Sequence, residues 1–244
     1  MMIYGLLGYP LIHSFSPKYF NDKFKQMGFD NADYLLFEME TLDEIRSLSD
    51  KYPDLRGFNV TIPHKENIML HLDDIDPTAK AVGAVNTVKI TDGRWVGYNT
   101  DVSGFRHAIA DWLDGLVIRS ALILGSGGAA KAAKYVLEQV NIHCETVSRK
   151  GPFSYADIDA KRMQLTDLIV NATPVGMFPK VDEAPTIPYS QINPKHFYYD
   201  MIYNPEKTIF LTRAEKNGAS IRNGHSMLLA QAEASWEIWQ DKRG

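Results

Sequence analysis

Residues 121–147 constrain the fold of this chain more than any other stretch. Ala121-Leu122-Ile123-Leu124 is a short apolar run suited to a strand buried on both faces. Gly125-Ser126-Gly127-Gly128-Ala129-Ala130 follows at once, residues 131–140 repeat apolar side chains at helical spacing, and Glu145-Thr146-Val147 reads as the next strand. Strand, tight turn, helix and strand in that order imply a right-handed parallel crossover and hence a doubly wound sheet. The pattern Gly125-x-Gly127-x-x-Ala130 is the spacing at which backbone amides and a helix N-terminus can approach a pyrophosphate. A glycine-rich structural turn is the alternative, but the strand before, helix after and strand beyond favour a dinucleotide.

The end of the second strand bears on which dinucleotide. A site for NAD usually has an acidic residue about 20 residues on, accepting from the ribose 2′-hydroxyl. Here Ser148-Arg149-Lys150 stands in that place, with no carboxylate. Two cations suit a 2′-phosphate, and Arg149 can also stack on the adenine. The sequence therefore favours NADP(H) over NAD, against the alternative that Arg149 and Lys150 are only a solvated loop.

The remaining pattern is also α/β. Strands are expected at residues 3–7, 34–39, 57–62, 85–90, 95–98, 168–172 and 197–200, with Asp92-Gly93 as a hairpin turn. Ser16-Pro17 reads as an N-cap and first helical residue, and Phe20, Phe24 and Met27 continue that helix to Gly28. Thr41-Leu42-Asp43-Glu44 reads as a capping box opening a helix that ends near Tyr52-Pro53. A last helix spans about residues 226–241 and carries Gln231 among Met227, Leu228, Ala232, Trp236 and Trp239. A chain of 244 residues has room for one large domain or two small ones. The net charge of −4, without a run of five like charges, argues against nucleic-acid and membrane-surface partners. No apolar stretch nears the roughly 18 residues that cross a bilayer, and the first residues lack a signal-peptide pattern. The single cysteine, Cys144, excludes an internal disulfide and fits a reducing cytoplasm. The seven histidines show neither H-E-x-x-H nor clustered ligand spacing, so no metal is expected.

Two polar residues stand where strands end. In Asn59-Val60-Thr61-Ile62-Pro63-His64-Lys65, alternation puts Asn59 and Thr61 on one face, Pro63 stops the strand, and Lys65 follows. An ammonium there can donate to an oxygen that gains charge, or exchange a proton with it. Asp101, in the turn Asn99-Thr100-Asp101, can orient the lysine and bond the same hydroxyl. Either residue alone reads as solvated; together they suggest a proton-handling pair. Ser14 and Ser16, two apart, would face one way in an extended segment and suit a carboxylate. A cap at Ser16 is compatible with that role.

These stretches together resemble the shikimate dehydrogenase family. The likeness runs from Tyr4 to about Trp239. Its motifs are Gly8-Tyr9-Pro10 with His13-Ser14-Phe15-Ser16-Pro17, the run from Asn59 to Lys65, Gly83-Ala84-Val85-Asn86-Thr87, and Asn99-Thr100-Asp101. The glycine loop, Asn171-Ala172-Thr173-Pro174-Val175-Gly176-Met177, Asp200-Met201-Ile202-Tyr203-Asn204-Pro205, and Gly224 with Met227-Leu228 and Gln231 complete it. The resemblance implies an α/β protein of two domains. An N-terminal substrate-binding domain, residues 1–101 completed by 225–244, would face a Rossmann-like NADP-binding domain, residues 102–224, across the active-site cleft. It implies NADPH-dependent, reversible reduction of 3-dehydroshikimate to shikimate in aromatic amino acid biosynthesis, in a cytoplasmic monomer or homodimer. Lys65 and Asp101 would be catalytic, and Ser14 and Ser16 would hold the substrate carboxylate. Thr61, Asn86, Asp101, Tyr203 and Gln231 would meet ring hydroxyls. Gly125, Gly127, Gly128, Ala129, Ser148, Arg149, Lys150, Thr173 and Met201 would line the cofactor, with Gly224 near its nicotinamide. Phe20 replaces a frequent histidine, Ser148-Arg149-Lys150 replaces Asn-Arg-Thr, and His225-Ser226 is an unusual pair. The chain is also short for the family, so trimmed loops are expected. A quinate or dual quinate/shikimate dehydrogenase is the nearest alternative, and a non-catalytic NADP(H) sensor the second.

Overall fold

The computed structural model describes residues 1–11, 14–149 and 151–241. The chain divides into two compact units, Met1–Thr100 with Ala232–Gly244, and Asp101–Gln231.

The first unit contains β1 (Met2–Gly8), α1 (Ser16–Gln26), β2 (Ala32–Glu38), α2 (Ser47–Lys51), β3 (Leu55–Val60), β4 (Asp74–Ile75), α3 (Pro77–Val82), β5 (Thr87–Thr91) and β6 (Arg94–Tyr98). Its six-stranded sheet has the order β2-β1-β3-β5-β6-β4. The pairs of β1 with β2 and β3 are parallel, and those of β5 with β3 and β6 are antiparallel. Two-residue alternation sends Tyr4 and Leu6 to one face of β1 and Ile3 and Leu7 to the other. On the first face, Tyr4, Phe20, Phe24 and Tyr34 pack with Trp236 and Trp239 from the C-terminal segment. On the second, Ile3 and Leu7 join Ile45, Leu48, Phe58, Ile68 and Trp95. The β5–β6 turn has the expected chemistry, with Asp92 (φ 50°) and Gly93 (φ 76°) both left-handed.

Two expectations need correction here. The helix expected from Thr41 begins only at Ser47, because the Thr41 hydroxyl is spent on Asp43 (2.8 Å). The backbone between them closes i to i+3 bonds, Ile45 N to Leu42 O and Ser47 N to Glu44 O. Ser16 is not an N-cap: Phe15 occupies that position in helical backbone (φ −68°, ψ −40°) and no side chain caps α1.

The second unit contains α4 (Asp101–Ala110), β7 (Ser120–Leu124), α5 (Gly128–Gln139), β8 (His143–Val147), α6 (Ala160–Gln164), β9 (Leu168–Asn171), β10 (Phe197–Asp200), α7 (Ile209–Lys216) and β11 (Ser220–Arg222), then α8 (His225–Trp239). α8 passes from the second unit to the first at residue 232. The sheet order is β11-β10-β9-β7-β8, and every pairing is parallel. Leu122, Leu124 and Tyr198 pack with Met163 of α6 and Phe210 and Leu211 of α7 on one face. Tyr199 points to the other, where Phe105 of α4 meets it edge-on at 5.2 Å between ring centroids, and α4 packs along α5. Because β7 lies between β8 and β9, the strand order reverses there, and loops following β7 and β9 face the crevice of a doubly wound sheet. Among the described residues no helix is long and apolar enough to cross a membrane.

Candidate active site

In the first unit the lysine turn is tied to three strands. Thr61 N donates to Leu7 O (2.8 Å), Tyr9 N to Ile62 O (3.0 Å) and His64 N to Thr61 O (3.0 Å). The buried His64 ring bonds Met39 O through Nε2 (2.6 Å), and Val85 N donates to Lys65 O (2.7 Å). The Lys65 side chain is half-buried at the end of this fixed backbone.

Asn86, next to Val85, is buried and joins a polar network inside the unit. Its Nδ2 donates to Thr100 Oγ1 (2.9 Å), and Thr100 N donates to its Oδ1 (2.6 Å). Tyr34 Oη donates to Asn59 Oδ1 (2.8 Å), whose Nδ2 donates to Thr87 Oγ1 (3.1 Å) and Ser235 Oγ (2.9 Å). Thr87, Thr100 and Ser235 also bond one another. Buried polar groups satisfied in this way hold one geometry. Thr100 is thereby pinned to Asn86, and the next peptide bond leads to Asp101.

The Ser14 and Ser16 hydroxyls do not act as an extended pair, since Phe15 between them is helical. Ser14 Oγ donates to Leu11 O (3.1 Å), while the Ser16 hydroxyl bonds Tyr34, whose burial raises its phenol pKa well above the usual range. His13 lies outside the described residues.

In the second unit Asp101 is buried as the first residue of α4. Gly104, one turn on, touches α8: a Cβ there would lie 2.7 Å from Met227 O and 2.9 Å from Gln231 Cβ. The helices that carry Asp101 and Gln231 are thus in backbone contact, and Gln231 Nε2 donates to Leu228 O (2.9 Å). Tyr203 is half-buried, and burial raises its phenol pKa.

The glycine loop follows β7. Gly125 takes φ +113°, and a Cβ on it would meet Ala172 O (2.9 Å) and Thr173 Cγ2 (3.1 Å). Gly127 caps α5 in extended backbone, with open space where its Cβ would be, so a ligand can approach the first amides of the twelve-residue helix. Gly128 is buried and Ala129 half-buried behind it. At the end of β8, Ser148 N donates to Phe153 O (3.0 Å) and Arg149 is exposed, while Lys150 lies outside the described residues. A Cβ on Gly224 would collide with the Met201 carbonyl, and Gly224 N donates to Ile202 O (3.2 Å). An open glycine over a helix N-terminus, and an exposed arginine with no acid at the second strand's end, fit NADP(H). Among the described residues no group of three or more His, Cys, Asp or Glu could hold a metal ion.

Sequence reasoning gave no role to Tyr34, Thr87, Thr100 and Ser235, nor to Asn171, Asp200 and Thr208. The signal for the last three was a carboxylate ending an otherwise apolar strand, with a threonine capping the following helix. Asp200 Oδ1 accepts from Asn171 Nδ2 (3.0 Å) and Ile202 N (3.0 Å), and Oδ2 from Thr208 Oγ1 (2.6 Å). Burial, opposed by those bonds, pushes the Asp200 pKa up to about 7.

Residues 6–88 match the shikimate dehydrogenase substrate binding domain. A shikimate dehydrogenase (NADP(+)) of Methanococcus maripaludis strain S2 is 40% identical over 96% of this chain and 90% of its own length. Another, of Clostridium beijerinckii, is 39% identical over 99% of this chain and 93% of its own. The crystal structure of shikimate 5-dehydrogenase from Thermus thermophilus in complex with NADP(H) and shikimate superposes with a TM-score of 0.86. It is 29% identical, covering 99% of this chain and 94% of that one.

Proposed function

The chain belongs to the shikimate dehydrogenase family, and from that premise we propose how its own residues carry the reaction. It is an oxidoreductase acting on a CH–OH group, with NADP(H) as cofactor, and interconverts 3-dehydroshikimate and shikimate in aromatic amino acid biosynthesis. We assign residues 1–101 with 225–244 to substrate binding and 102–224 to the cofactor. That division follows ligands, and differs from the compact units at Asp101 and residues 225–231.

When bound, NADPH supplies the hydride that reduces the ring ketone. The Lys65 ammonium donates to the ketone oxygen as negative charge grows on it and then gives it a proton. Asp101 accepts from the resulting hydroxyl and fixes its direction. Ser14 and Ser16 hold the carboxylate once their hydroxyls turn from Leu11 O and Tyr34, while Thr61, Asn86, Tyr203 and Gln231 bond ring hydroxyls. Gly125, Gly127, Gly128 and Ala129 present amides to the pyrophosphate. Ser148, Arg149 and Lys150 meet the 2′-phosphate, Thr173 and Met201 line the cofactor, and Gly224 stands near its nicotinamide. We propose a cytoplasmic enzyme, a monomer or homodimer; the buried free Cys144 suits a reducing compartment.

One observation carries this reading above the rest. Val85 holds the Lys65 carbonyl, and the neighbouring Asn86 pins Thr100, the residue before Asp101, from inside a buried network. Oxidation of NADPH by 3-dehydroshikimate, run beside NADH and beside quinate with NADP+, tests the activity and its specificity. Lys65→Ala should lower kcat by about 10²- to 10⁴-fold, the range for a positioned acid. Turnover within threefold of wild type removes Lys65 from the chemistry.

A further inference from the structure

Asp200 is a buried carboxylate that the reaction does not use. It ends β10 directly opposite Asn171, which ends β9 in the adjacent register position. Its three bonds reach three segments: Asn171 on β9, Ile202 in the loop after β10, and Thr208 at the start of α7. Each partner is itself engaged. Asn171 Oδ1 accepts from Thr173 N (3.1 Å) and Thr173 Oγ1 (2.6 Å), and Thr173 Oγ1 accepts from Val175 N (3.2 Å). Thr208 Oγ1 accepts from Leu211 N (3.3 Å) as the α7 N-cap. Met201 N donates to Asn171 O (2.9 Å), and Ile202 O accepts from Gly224 N (3.2 Å). One carboxylate therefore stands at the centre of bonds that shape residues 171–175, 200–202 and 224.

We infer that Asp200 is a positioning residue for the cofactor: it clamps the loops bearing Thr173, Met201 and Gly224 in the conformation that receives NADP(H). This rests on the reading that those three residues contact the cofactor. All members of the network lie in the second unit, whereas Ser14, Ser16, Thr61, Lys65 and Asn86 belong to the first; Tyr203, which follows Ile202, is the substrate residue that adjoins it. Among the described residues no cation pairs with the carboxylate; its donors are one side-chain amide, one backbone amide and one hydroxyl. It thus acts as a three-way acceptor rather than as half of an ion pair, and an isosteric amide can take most of its place. In Asp200→Asn the Oδ1 position still accepts from Asn171 and Ile202, while the new amide donates to Thr208. In Asp200→Ala three buried donors lose their acceptor at once.

The test combines calorimetric titration of NADP+ and of shikimate with amide hydrogen exchange of the ligand-free protein. Asp200→Ala should weaken NADP+ at least tenfold and shikimate, through Tyr203, by no more than threefold, and Asp200→Asn should stay within threefold of wild type for both. Exchange in Asp200→Ala should speed up at Thr173, Val175 and Ile202, with β7 and β8 unchanged. NADP+ affinity within twofold of wild type in Asp200→Ala overturns the inference, as does an equal loss of both ligands, which marks general loosening. If Asp200→Ala does not fold, Thr208→Val decides: a threefold or greater loss of NADP+ alone supports the clamp, and none overturns it. A wild-type protein that binds no NADP+ sinks the cofactor reading instead, while exchange at the three amides still judges the clamp.

Discussion

Asp200 also bears on stability, because its carboxyl titrates in the folded protein at about 7 against an ordinary value of 3.8, with burial the largest cause. Between those values the folded state binds more protons at this site than the unfolded chain does. Stability from this group is therefore fully present below about pH 4, falls as pH rises, and levels off above about pH 7. The titratable groups that sense it are Tyr189 and Tyr199, whose phenols burial holds above their usual range and so neutral through that window. Asparagine at the site does not titrate. The Tm of Asp200→Asn relative to wild type should therefore move upward between pH 5 and pH 8, measured by calorimetry in matched buffers. A difference that stays flat across that range would place the Asp200 pKa in the ordinary carboxylate range. The partners that decide this behaviour are distant in sequence, Asn171 by 29 positions, which is why a lone aspartate after Tyr199 carried no legible role. Asn59 and Ser235 are a harder case, 176 positions apart and joined only by the fold.

Local chemistry was legible at the level of elements wherever it was self-contained. The Asp92-Gly93 hairpin and the glycine loop between β7 and α5 are set by residues a few positions apart, and both stand as expected. The opening of α2 was not legible, since Thr41 had a nearer partner in Asp43 than any backbone amide. Nor was the Gly104 contact, which depends on how two helices pack. That contact separates propensity from packing. Alanine is a better helix former than glycine by about 1 kcal/mol, yet its Cβ would sit 2.7 Å from Met227 O and 2.9 Å from Gln231 Cβ. Overpacking of that kind costs about 1–3 kcal/mol, so packing wins and Tm should fall. Gly104→Ala should push α8 away from α4 and shift Gln231 relative to Asp101. We expect the KM for shikimate to rise about tenfold or more, with the KM for NADP+ within twofold. A more stable variant with unchanged KM would show that the two helices adjust without moving either side chain.

Among the described residues, the buried clusters on either side of the first unit's sheet and the cluster of the second around Leu122, Tyr198 and Phe210 share no residue. The chain joins the units at 100–101 and again within α8, whose last turns complete the first unit. Trp239 is the keystone of that completion. Its ring lies 4.8 Å from Tyr4 and 5.4 Å from Phe20 between centroids, and its Nε1 donates to Val88 O at 3.0 Å. Trp239→Ala removes those contacts and leaves a buried carbonyl without its donor, a loss of about 3–5 kcal/mol for a large core aromatic. The loss falls on the first unit alone. Calorimetry of this variant should then resolve two transitions, a lower one insensitive to NADP+ and an upper one that NADP+ raises, because a ligand stabilises only the part whose folded state it binds. A single transition that NADP+ shifts as a whole would mean that α8 transmits the damage, making the two units one cooperative body despite their separate cores.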